Sequence, residues 1–464
     1  MPLPDHPFAR LSLADYGARL RRREISAEAV TAVLLERIER LNPRLNAFHY
    51  VARDEALAAA RAIDLQLAAG VDPGPLAGVP VAVKDLYSVT GMPTNAGSNL
   101  DVSEVTPPEG SFVRALKLSG CVILGKTRTS EFALGGINFI HPVPWNPCDA
   151  RTHRMPGGSS HGSAVALAAG LCAFAVGTDT GGSVRLPAAL CGVVGHKFSS
   201  RAFALDGIFP LSPTLDSVGT FTTSAADAAL VHSALTGIAG LPAPPVKGLR
   251  LGKPLRLFYD ELDAEVSQRI DIALDALARA GAQIVPVDVP EVGEFDSVFG
   301  GIVPGELVEI LGRERIEKGR ELFDAIAQSR IIAALNYPPS RLAEACMRQV
   351  ELRDRVRAKM AGIDGWLVPT TPLVPGPLKD RSTLMPALEW NKRALRNTRP
   401  GNVFEQCGIS LPLPARDGGL PVGLQLVRSA LEDAKLLALA ATIESVVGRA
   451  QLPDVTAFAS GAAV

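Results

Sequence analysis

The apolar residues of the chain recur with two different periods. After Ser26 they fall three or four positions apart, which predicts an amphipathic helix that Pro43 closes. The apolar positions of this helix are Val30, Val33, Leu34, Ile38 and Leu41. Similar spacing predicts helices at 54–69, 112–118, 162–170, 225–235, 264–280 and 430–446. Short apolar runs predict strands at 79–84, 121–124, 173–176, 255–258, 284–287, 366–368, 409–413 and 422–427.

Strands that alternate with helices are typical of an α/β protein. We therefore predict a large mixed, mostly parallel β-sheet that helices cover on both faces. At 464 residues the chain exceeds the usual size of one core. We divide it into an N-terminal helical segment packed on the core (1–70), a core (71–240) and the remainder of the same α/β domain (241–464). The stretch 241–245 is the best linker candidate, and the segments at about 300–400 carry few signals and are expected to supply variable parts of a pocket.

Charge and cysteine content restrict the classes of function. The chain has 47 basic and 48 acidic residues and a formal net charge of −1, so nothing in its charge points to nucleic acid. Its six cysteines form no CxxC or other close pair, which argues against a zinc ribbon and suits a reducing cytoplasm. The N-terminus lacks the apolar run of a secretion signal, and the stretch 159–178 is too polar to be a membrane span. We expect a cytoplasmic protein.

Two turns rich in glycine and serine lie between Pro156 and Lys197. We call residues 157–163 the first turn and residues 177–183 the second turn. Glycine-rich turns free backbone N–H groups to face a ligand, and both turns also offer hydroxyls. Together they can place two serines and a row of amide donors around one point. Acyl transfer needs these groups: a nucleophile, a proton relay and an oxyanion site.

Three short patterns suggest other chemistries. Residues 120–127 match the phosphate-loop pattern G-x-x-x-x-G-K-[ST], but the residues between its glycines are predicted as a strand rather than a loop. Residues 158–162 match the G-x-S-x-G elbow of α/β-hydrolases, with Ser160 as nucleophile. That fold needs a histidine late in the domain, and none follows His232. A metal site is disfavoured because the nearby histidines share no metal-ligand spacing. These histidines are His141, His153 and His161.

A serine hydrolase without a suitably placed histidine needs another base. A lysine can serve if burial lowers its pKa. Lys84 ends the apolar run 79–83. Taken alone, this run is explained more simply by a lysine that reaches solvent from the end of a strand. A catalytic role for Lys84 is supported only by the presence of the two turns.

At this point the chain resembles the amidase signature hydrolases. The resemblance covers nearly the whole chain and is strongest at residues 76–220. The matching segments read PLAGVPVAVKD, GKTRTSEFALGG, PGGSSHGSAVALAAG, GTDTGGSVRLPAALCGVVG and PLSPTLDSVGT, and later WLVPTTP and LPVGLQLV. Two departures concern the pocket: His161 stands where the family commonly has glycine, and HKFS (196–199) replaces a Leu-Lys-Pro-Thr-like run.

The resemblance implies the amidase signature fold and a Ser–cis-Ser–Lys triad. Ser183 would be the nucleophile, Ser159 after a cis peptide bond the proton relay, and neutral Lys84 the base. The implied reaction is hydrolysis of a linear carboxylic amide through an acyl-enzyme, which releases ammonia or an amine without metal or organic cofactor. The resemblance also implies that an oxyanion hole is formed by the N–H groups of Thr180, Gly181, Gly182 and Ser183. It further implies that the triad is supported by Ser160, which is bonded to the lysine, and by Asp179 and Arg185.

Substrate contacts are expected from the loops 136–146 and 208–214 and from segments between 300 and 400. Candidate lining residues, each equally compatible with core packing, are Phe139, Ile140, Trp145, His161, Phe209, Phe299 and Trp390. The acyl group, the leaving amine and the stereoselectivity do not follow from the sequence.

Two alternative functions stay open. One is the glutaminase-type catalytic subunit of a tRNA-dependent amidotransferase, which needs partner subunits and RNA contacts, and the balanced charge argues against it. The other is a nucleotide-binding protein built on residues 120–127. Neither nucleic acid nor a membrane is expected as a partner. Dimerisation is common among enzymes of this kind, although no segment identifies an interface.

Overall fold

Eleven strands form one mixed sheet in the computed structural model, which describes residues 3–338, 340–415 and 418–459. The strands are β1 (Phe48–Val51), β2 (Pro80–Lys84), β3 (Val122–Thr127), β4 (Phe174–Thr178), β5 (Val194–Lys197), β6 (Val218–Thr222), β7 (Arg250–Pro254), β8 (Gln283–Val287), β9 (Gly365–Pro369), β10 (Cys407–Leu413) and β11 (Val422–Arg428). Their spatial order is β1-β3-β2-β4-β6-β5-β10-β11-β9-β7-β8. Strands from each of the three predicted segments therefore share this sheet.

The predicted large mixed sheet is confirmed, but the predicted predominance of parallel pairing is wrong. β2 pairs in parallel with β3 and β4, and β7 pairs in parallel with β8 and β9. The other six pairings in the described sheet are antiparallel. Parallel neighbours need a long crossover, usually a helix. The connection from β5 to β6 contains no helix, and β10 and β11 are separated only by residues 414–421, so these strands return in the opposite direction.

Helices flank the sheet. They are α1 (Leu13–Arg21), α2 (Ala27–Leu45), α3 (Arg53–Ala68), α4 (Ser111–Leu118), α5 (His161–Ala168), α6 (Arg185–Cys191), α7 (Ala225–Thr236), α8 (Ala264–Arg279), α9 (Phe295–Leu311), α10 (Arg313–Lys318), α11 (Ala325–Ala334), α12 (Ser340–Lys359), α13 (Leu384–Ala394), α14 (Arg399–Val403), α15 (Asp433–Val447) and α16 (Thr456–Ala459). In the part of the chain that the structure describes, no helix combines the length and the apolar character needed to cross a membrane.

Local sequence signals explain the start of α2 but not its end. The Ser26 hydroxyl accepts a hydrogen bond from the Ala29 N–H at 3.1 Å, as expected of a helix N-cap. The end predicted at Pro43 is wrong, because α2 continues to Leu45. It stops where Asn46 adopts a left-handed conformation, with φ of 54°.

Two strands differ from the prediction. The strand predicted at 255–258 is wrong, because β7 lies just before it, at Arg250–Pro254. Leu251 in β7 is fully buried, whereas Leu255 is exposed and Leu257 has a positive φ of 70°. The chain therefore turns where the apolar letters predicted a strand. β1, in turn, lies within 1–70, for which the sequence predicts only helices.

Opposite faces of β10 contact different helices. Ile409 and Leu411 pack with residues of α15 in one apolar cluster. Successive strand residues point to opposite faces, so Ser410 lies on the other side, where α6 packs. Small residues allow this close packing: a Cβ on Gly195 in β5 would lie 2.5 Å from the Cβ of Ala188 in α6. α6, which follows the second turn, is thus held directly against the sheet.

Candidate active site

Lys84 lies at the carboxyl end of β2, between β3 and β4. Its side chain is fully buried, and its Nζ donates hydrogen bonds to Ser159 Oγ and Thr178 Oγ1, both at 2.8 Å. Burial lowers the pKa of Lys84 from 10.5 to about 7, although the carboxylates of Asp216 and Asp179 favour the protonated form. Near pH 7 a substantial fraction of this amine is therefore neutral and able to accept a proton.

The first turn carries Ser159 directly after a cis peptide bond, Gly158–Ser159. The Ser159 carbonyl accepts a hydrogen bond from the Ser130 N–H at 3.3 Å. A Cβ on Gly158 would lie 2.8 Å from the Gly136 Cα, so only glycine lets the two backbones pass this closely. These backbone contacts hold the Ser159 hydroxyl at the amine of Lys84.

Ser160 connects the first turn to the second turn and to β4. Its N–H donates to the Ser183 carbonyl at 3.2 Å. Its Oγ donates to the Thr178 carbonyl at 3.2 Å and accepts from the Thr178 N–H at 3.3 Å. The Ser160 hydroxyl thus bonds the backbone of β4, and the second hydroxyl bonded to Lys84 is that of Thr178. Sequence reasoning missed Thr178, because its approach to Lys84 depends on the parallel pairing of β4 with β2.

The buried carboxylate of Asp179 organises the second turn. It accepts hydrogen bonds from the Gly182 N–H at 2.8 Å and the Val184 N–H at 3.1 Å. Arg185, also fully buried, donates to it through Nε at 3.0 Å and Nη2 at 2.8 Å. Burial alone would raise the pKa of Asp179, but Arg185 holds it well below its usual range. The turn that ends at Ser183 is therefore fixed around an ionised carboxylate.

The C-terminal half of the chain supports the same ion pair. Arg185 Nη1 donates to Gln425 Oε1 in β11 at 2.9 Å, and its Nη2 donates to Asn402 Oδ1 in α14 at 2.6 Å. Asn402 Nδ2 in turn donates to Asp179 Oδ1 at 3.0 Å. A buried ion pair is tolerated when its remaining donors and acceptors are satisfied in this way. Asp179 within the second turn and Arg185 just after it thus contact each other and the turn, and their role in supporting the catalytic residues stays a prediction.

Gly181 and Gly182 of the second turn are closely approached by other groups. Gly182 has φ of 122°, and a Cβ there would lie 2.0 Å from Thr398 Oγ1. A Cβ on Gly181 would lie 2.8 Å from Phe299 Cζ and 3.3 Å from Arg399 Cγ. The structure therefore brings Phe299 in α9 and Arg399 in α14 against the second turn.

The N–H groups of the second turn differ in their partners. That of Gly182 donates to Asp179. The N–H groups of Thr178 and Asp179 donate to Ser160 Oγ and to the Ser217 carbonyl. Three others find no protein acceptor within 3–338, 340–415 and 418–459, namely those of Thr180, Gly181 and Ser183. Ser183 itself is only 5% exposed. A substrate oxygen bound at the turn would thus meet unpaired backbone donors in a largely water-free environment.

His161 begins α5 and is buried against the first turn. A Cβ on Gly158 would lie 3.2 Å from its Nδ1. Burial and the charges of Lys84 and Arg128 lower the pKa of His161 to about 3. The imidazole is therefore neutral at pH 7.

Four of the six apolar candidates for the pocket lie in different surroundings. Phe139 and Ile140 line a surface cavity of about 390 Å³. Trp145 stacks on His153, with ring centroids 4.5 Å apart, and its Nε1 donates to a backbone carbonyl at 2.7 Å. Phe209 is 1% exposed and packs in the main core. The structure does not bring these four side chains together.

The phosphate-loop pattern lies on a strand. Its residues Val122–Thr127 form β3, and Lys126 is fully buried there. Lys126 Nζ donates to Asp85 Oδ1 at 3.0 Å, to the Pro93 carbonyl at 2.9 Å and to Thr94 Oγ1 at 2.8 Å. A strand with an internally bonded lysine offers no loop around a phosphate, which disfavours the nucleotide-binding alternative. No group of three His, Cys, Asp or Glu side chains among the described residues is arranged to hold a metal ion.

Known proteins are similar to this chain in both sequence and fold. The family model described as Amidase matches residues 29–437. The chain belongs to the amidase family. The resemblance to the amidase signature hydrolases is thereby confirmed, and the chain is a hydrolase that acts on amide C–N bonds.

Members of the amidase family match the chain over nearly its full length. A 2-amino-5-chloromuconic acid deaminase from Comamonas testosteroni is 38% identical, over 95% of this chain and 97% of that protein. A glutamyl-tRNA(Gln) amidotransferase subunit from Acidothermus cellulolyticus is 34% identical, over 96% of this chain and 97% of that protein. A solved amidase structure superposes with a TM-score of 0.86 at 31% identity, over 94% of this chain and all of that one.

Proposed function

We propose that this amidase hydrolyses a carboxylic amide through an acyl-enzyme on Ser183, with Ser159 as proton relay and Lys84 as base. The observation that carries this proposal is the buried amine of Lys84, 2.8 Å from Ser159 Oγ. A fully buried lysine bonded only to hydroxyls is costly unless it is neutral for part of the time, and a neutral amine is a base. The pKa of about 7 supports this role.

The first half of the reaction forms the acyl-enzyme. Lys84 takes the proton of Ser159, Ser159 takes that of Ser183, and Ser183 Oγ attacks the amide carbonyl. The hydrogen bond between the Ser160 N–H and the Ser183 carbonyl, at 3.2 Å, joins the two turns and supports this transfer between them. The C–N bond then breaks, and the proton held by the relay passes to the departing nitrogen, which leaves as ammonia or an amine.

The negative oxygen of the tetrahedral intermediate needs donors that are already in place. The unpaired N–H groups of Thr180, Gly181 and Ser183 supply them. Gly182 contributes differently from what the family resemblance implies, because its N–H already donates to Asp179 and so fixes the turn. One such donor is worth roughly 10²–10³ in kcat.

The second half of the reaction releases the acid. The same relay takes a proton from water, the resulting hydroxide attacks the ester carbonyl of the acyl-enzyme, and Ser183 Oγ leaves with that proton. The carboxylic acid is the second product. No metal or organic cofactor takes part in any of these steps.

A fluorophosphonate probe followed by intact-mass measurement tests the nucleophile. Wild type and Ser160→Ala should each gain one adduct, and Ser183→Ala should gain none. Ser160 is the matched control because it is the nucleophile of the elbow alternative and lies in the first turn. An adduct that persists in Ser183→Ala but is lost in Ser160→Ala would transfer the role of nucleophile to Ser160.

A panel of simple amides tests the reaction. Wild type should release ammonia from at least one of benzamide, butyramide, succinamate and glutamine, and Lys84→Met should reduce that rate by at least ~10³-fold, since it removes the base. Undiminished turnover in Lys84→Met would refute the mechanism.

The similarity to the amidotransferase subunits supports a second candidate, a glutaminase that passes ammonia to a partner. Its signature would be glutamine hydrolysis that depends on added partner subunits. Turnover of non-glutamine amides by the isolated chain would reject it.

A further inference from the structure

Two arginine side chains act on each other through their charges, and one of them lies beside the second turn. Arg399 begins α14, and its Cγ would lie 3.3 Å from a Cβ on Gly181, two residues before Ser183. Arg330 lies on α11, which packs on α9. Phe299, also on α9, contacts both Gly181 and the Arg399 guanidinium, whose Cζ is 4.9 Å from the ring centroid.

The Arg399 guanidinium has one counterion and an unused donor. Its Nη1 donates to Asp296 Oδ1 at 2.8 Å. Its Nε is buried without a hydrogen-bond partner among the residues that the structure describes. The side chain is only 7% exposed, so water does not readily satisfy that donor. A buried unpaired guanidinium N–H is costly, which suggests that a ligand supplies the acceptor.

Arg330 adds a positive charge without a counterion of its own. Within the described part of the chain, its guanidinium makes no hydrogen bond, nor an ion pair within 4.0 Å. Burial and the charge of Arg399 lower the pKa of Arg330 to about 10. The nearby acids are Asp296, which already pairs with Arg399, and Asp324, which accepts hydrogen bonds from the Phe139 and Ile326 N–H groups.

We propose that Arg399 and Arg330 bind a carboxylate of the substrate, so that the amide cleaved at Ser183 belongs to a short dicarboxylic acid monoamide. This inference rests on the proposed function. Asp296 and Asp324 already offset much of the charge of the two guanidinium groups, so their unused N–H donors suit a singly charged carboxylate better than a phosphate dianion. Guanidinium groups also bind carboxylates through paired N–H donors. Because Arg399 lies against Gly181, the carboxylate must be separated from the amide carbonyl by only a few atoms.

Matched substrates test the charge of the ligand. Succinamate and succinamide, and likewise glutaramate and glutaramide, differ in a carboxylate that becomes a neutral amide of nearly the same size. Wild type should prefer the charged member of at least one pair by roughly 10-fold or more in kcat/KM. Equal or better use of the neutral members would overturn the proposal.

Variants test which residues hold the carboxylate. Arg399→Met should lower kcat/KM for the charged amide by roughly 10- to 100-fold, mainly through KM, and change that for the neutral amide less than threefold. Arg330→Met should act in the same direction, and it keeps the test decisive if Arg399→Met does not fold. Arg399→Lys should recover only part of the loss, because it restores the charge but not the paired donors. Arg256→Met is the matched control, since Arg256 pairs with Asp288 at the exposed surface.

A binding measurement separates this inference from the proposed function. Ser183→Ala cannot turn over, so malonate, succinate, glutarate, adipate and muconate can be titrated into it by calorimetry. At least one should bind, and Arg399→Met in the Ser183→Ala background should weaken that binding at least 10-fold. Lack of binding by all five would overturn the carboxylate site even if Ser183 is labelled by the fluorophosphonate. Failure of labelling with binding intact would overturn only the nucleophile.

Discussion

Replacement of Lys84 by methionine should change how the stability of the protein depends on pH. The substitution keeps the length of the side chain and removes its charge from a fully buried site. It also breaks the hydrogen bonds to Ser159 and Thr178, a loss that does not vary with pH in this range. The pH-dependent part of the difference between wild type and Lys84→Met therefore reports only on the titration of Lys84.

The magnitude follows from the pKa of Lys84 in the two states. The unfolded lysine titrates near 10.5 and the folded one near 7, so between these values the unfolded chain binds the extra proton. Below pH 7 wild type bears the full cost of a buried charge, which corresponds to roughly 5 kcal/mol at 1.36 kcal/mol per pH unit. This cost disappears as the pH rises, so the free energy of unfolding of wild type should gain roughly 2–3 kcal/mol over Lys84→Met between pH 7 and pH 9.

Urea denaturation of both proteins at half-unit steps from pH 6 to pH 9.5 measures this gain. Lys197→Met is a matched comparison, because Lys197 is equally buried and its Nζ donates to the Phe198 and Gln406 carbonyls. Burial lowers the pKa of Lys197 to about 8, so its difference curve should begin to rise about one pH unit higher. Parallel stability curves for wild type and Lys84→Met would show that Lys84 is not neutralised by folding, and the assigned base would be refuted.

Three further predictions concern Thr178, Asp179 and Glu131. Thr178→Val removes a hydrogen-bond acceptor that favours the protonated form of Lys84. The acid limb of the pH profile of kcat/KM, expected near pH 7 in wild type, should therefore move to lower pH. An unchanged acid limb would contradict this contact. Asp179→Asn leaves the buried Arg185 without a counterion and should lower the free energy of unfolding in urea by about 3–5 kcal/mol. A decrease below about 1 kcal/mol would show that the other hydrogen-bond partners of Arg185 are sufficient. Burial raises the pKa of Glu131 to about 8. As the pH rises from 4.5 to 8, the unfolded chain loses this proton before the folded protein does, so Glu131 lowers the free energy of unfolding more and more. Glu131→Gln should be near neutral at pH 5 and stabilising by roughly 1–4 kcal/mol at pH 8.5, and an equal effect at both pH values in thermal or urea unfolding would reject this account.

The sequence indicated the parts of the site that depend on local chain geometry. The glycines of both turns are needed where other atoms approach closely, and this requirement is visible in the letters themselves. Lys84 and Ser159 were named from these turns and from the family resemblance, and the structure places their side chains 2.8 Å apart. The strand that carries Lys84 was equally visible, because β2 is buried on both faces and therefore reads as a continuous apolar run.

Contacts between distant parts of the chain could not be predicted from local sequence patterns. Thr178 reaches Lys84 because β4 pairs with β2, and no spacing within the sequence states that pairing. Arg399 and Arg330 come from the stretch 300–400, where helices such as α11 and α14 carry weak sequence signals. The approach of Arg399 to the second turn, and the effect of its charge on Arg330, depend on how α11 and α14 pack on α9.

The directions of the strands also depend in part on the sequence and in part on tertiary structure. Alternating strands and helices were enough to predict a large mixed α/β sheet, because burial imposes a period on each element separately. Whether neighbours run parallel or antiparallel depends on which strands pair, and here consecutive strands without a crossover helix, such as β5 and β6, return beside each other.

The sequence by itself thus indicated two turns that offer the groups acyl transfer needs, since glycine and serine impose their requirements locally, and the family resemblance added Lys84 as the expected base. Only the tertiary structure decided how those groups are charged and what they face. The pKa of Lys84 depends on the exclusion of water by β3, β4 and the first turn, and the two arginines depend on helices far apart in the chain. Burial and electrostatics are properties of the whole packed molecule, and they enter the chemistry only after the chain has folded.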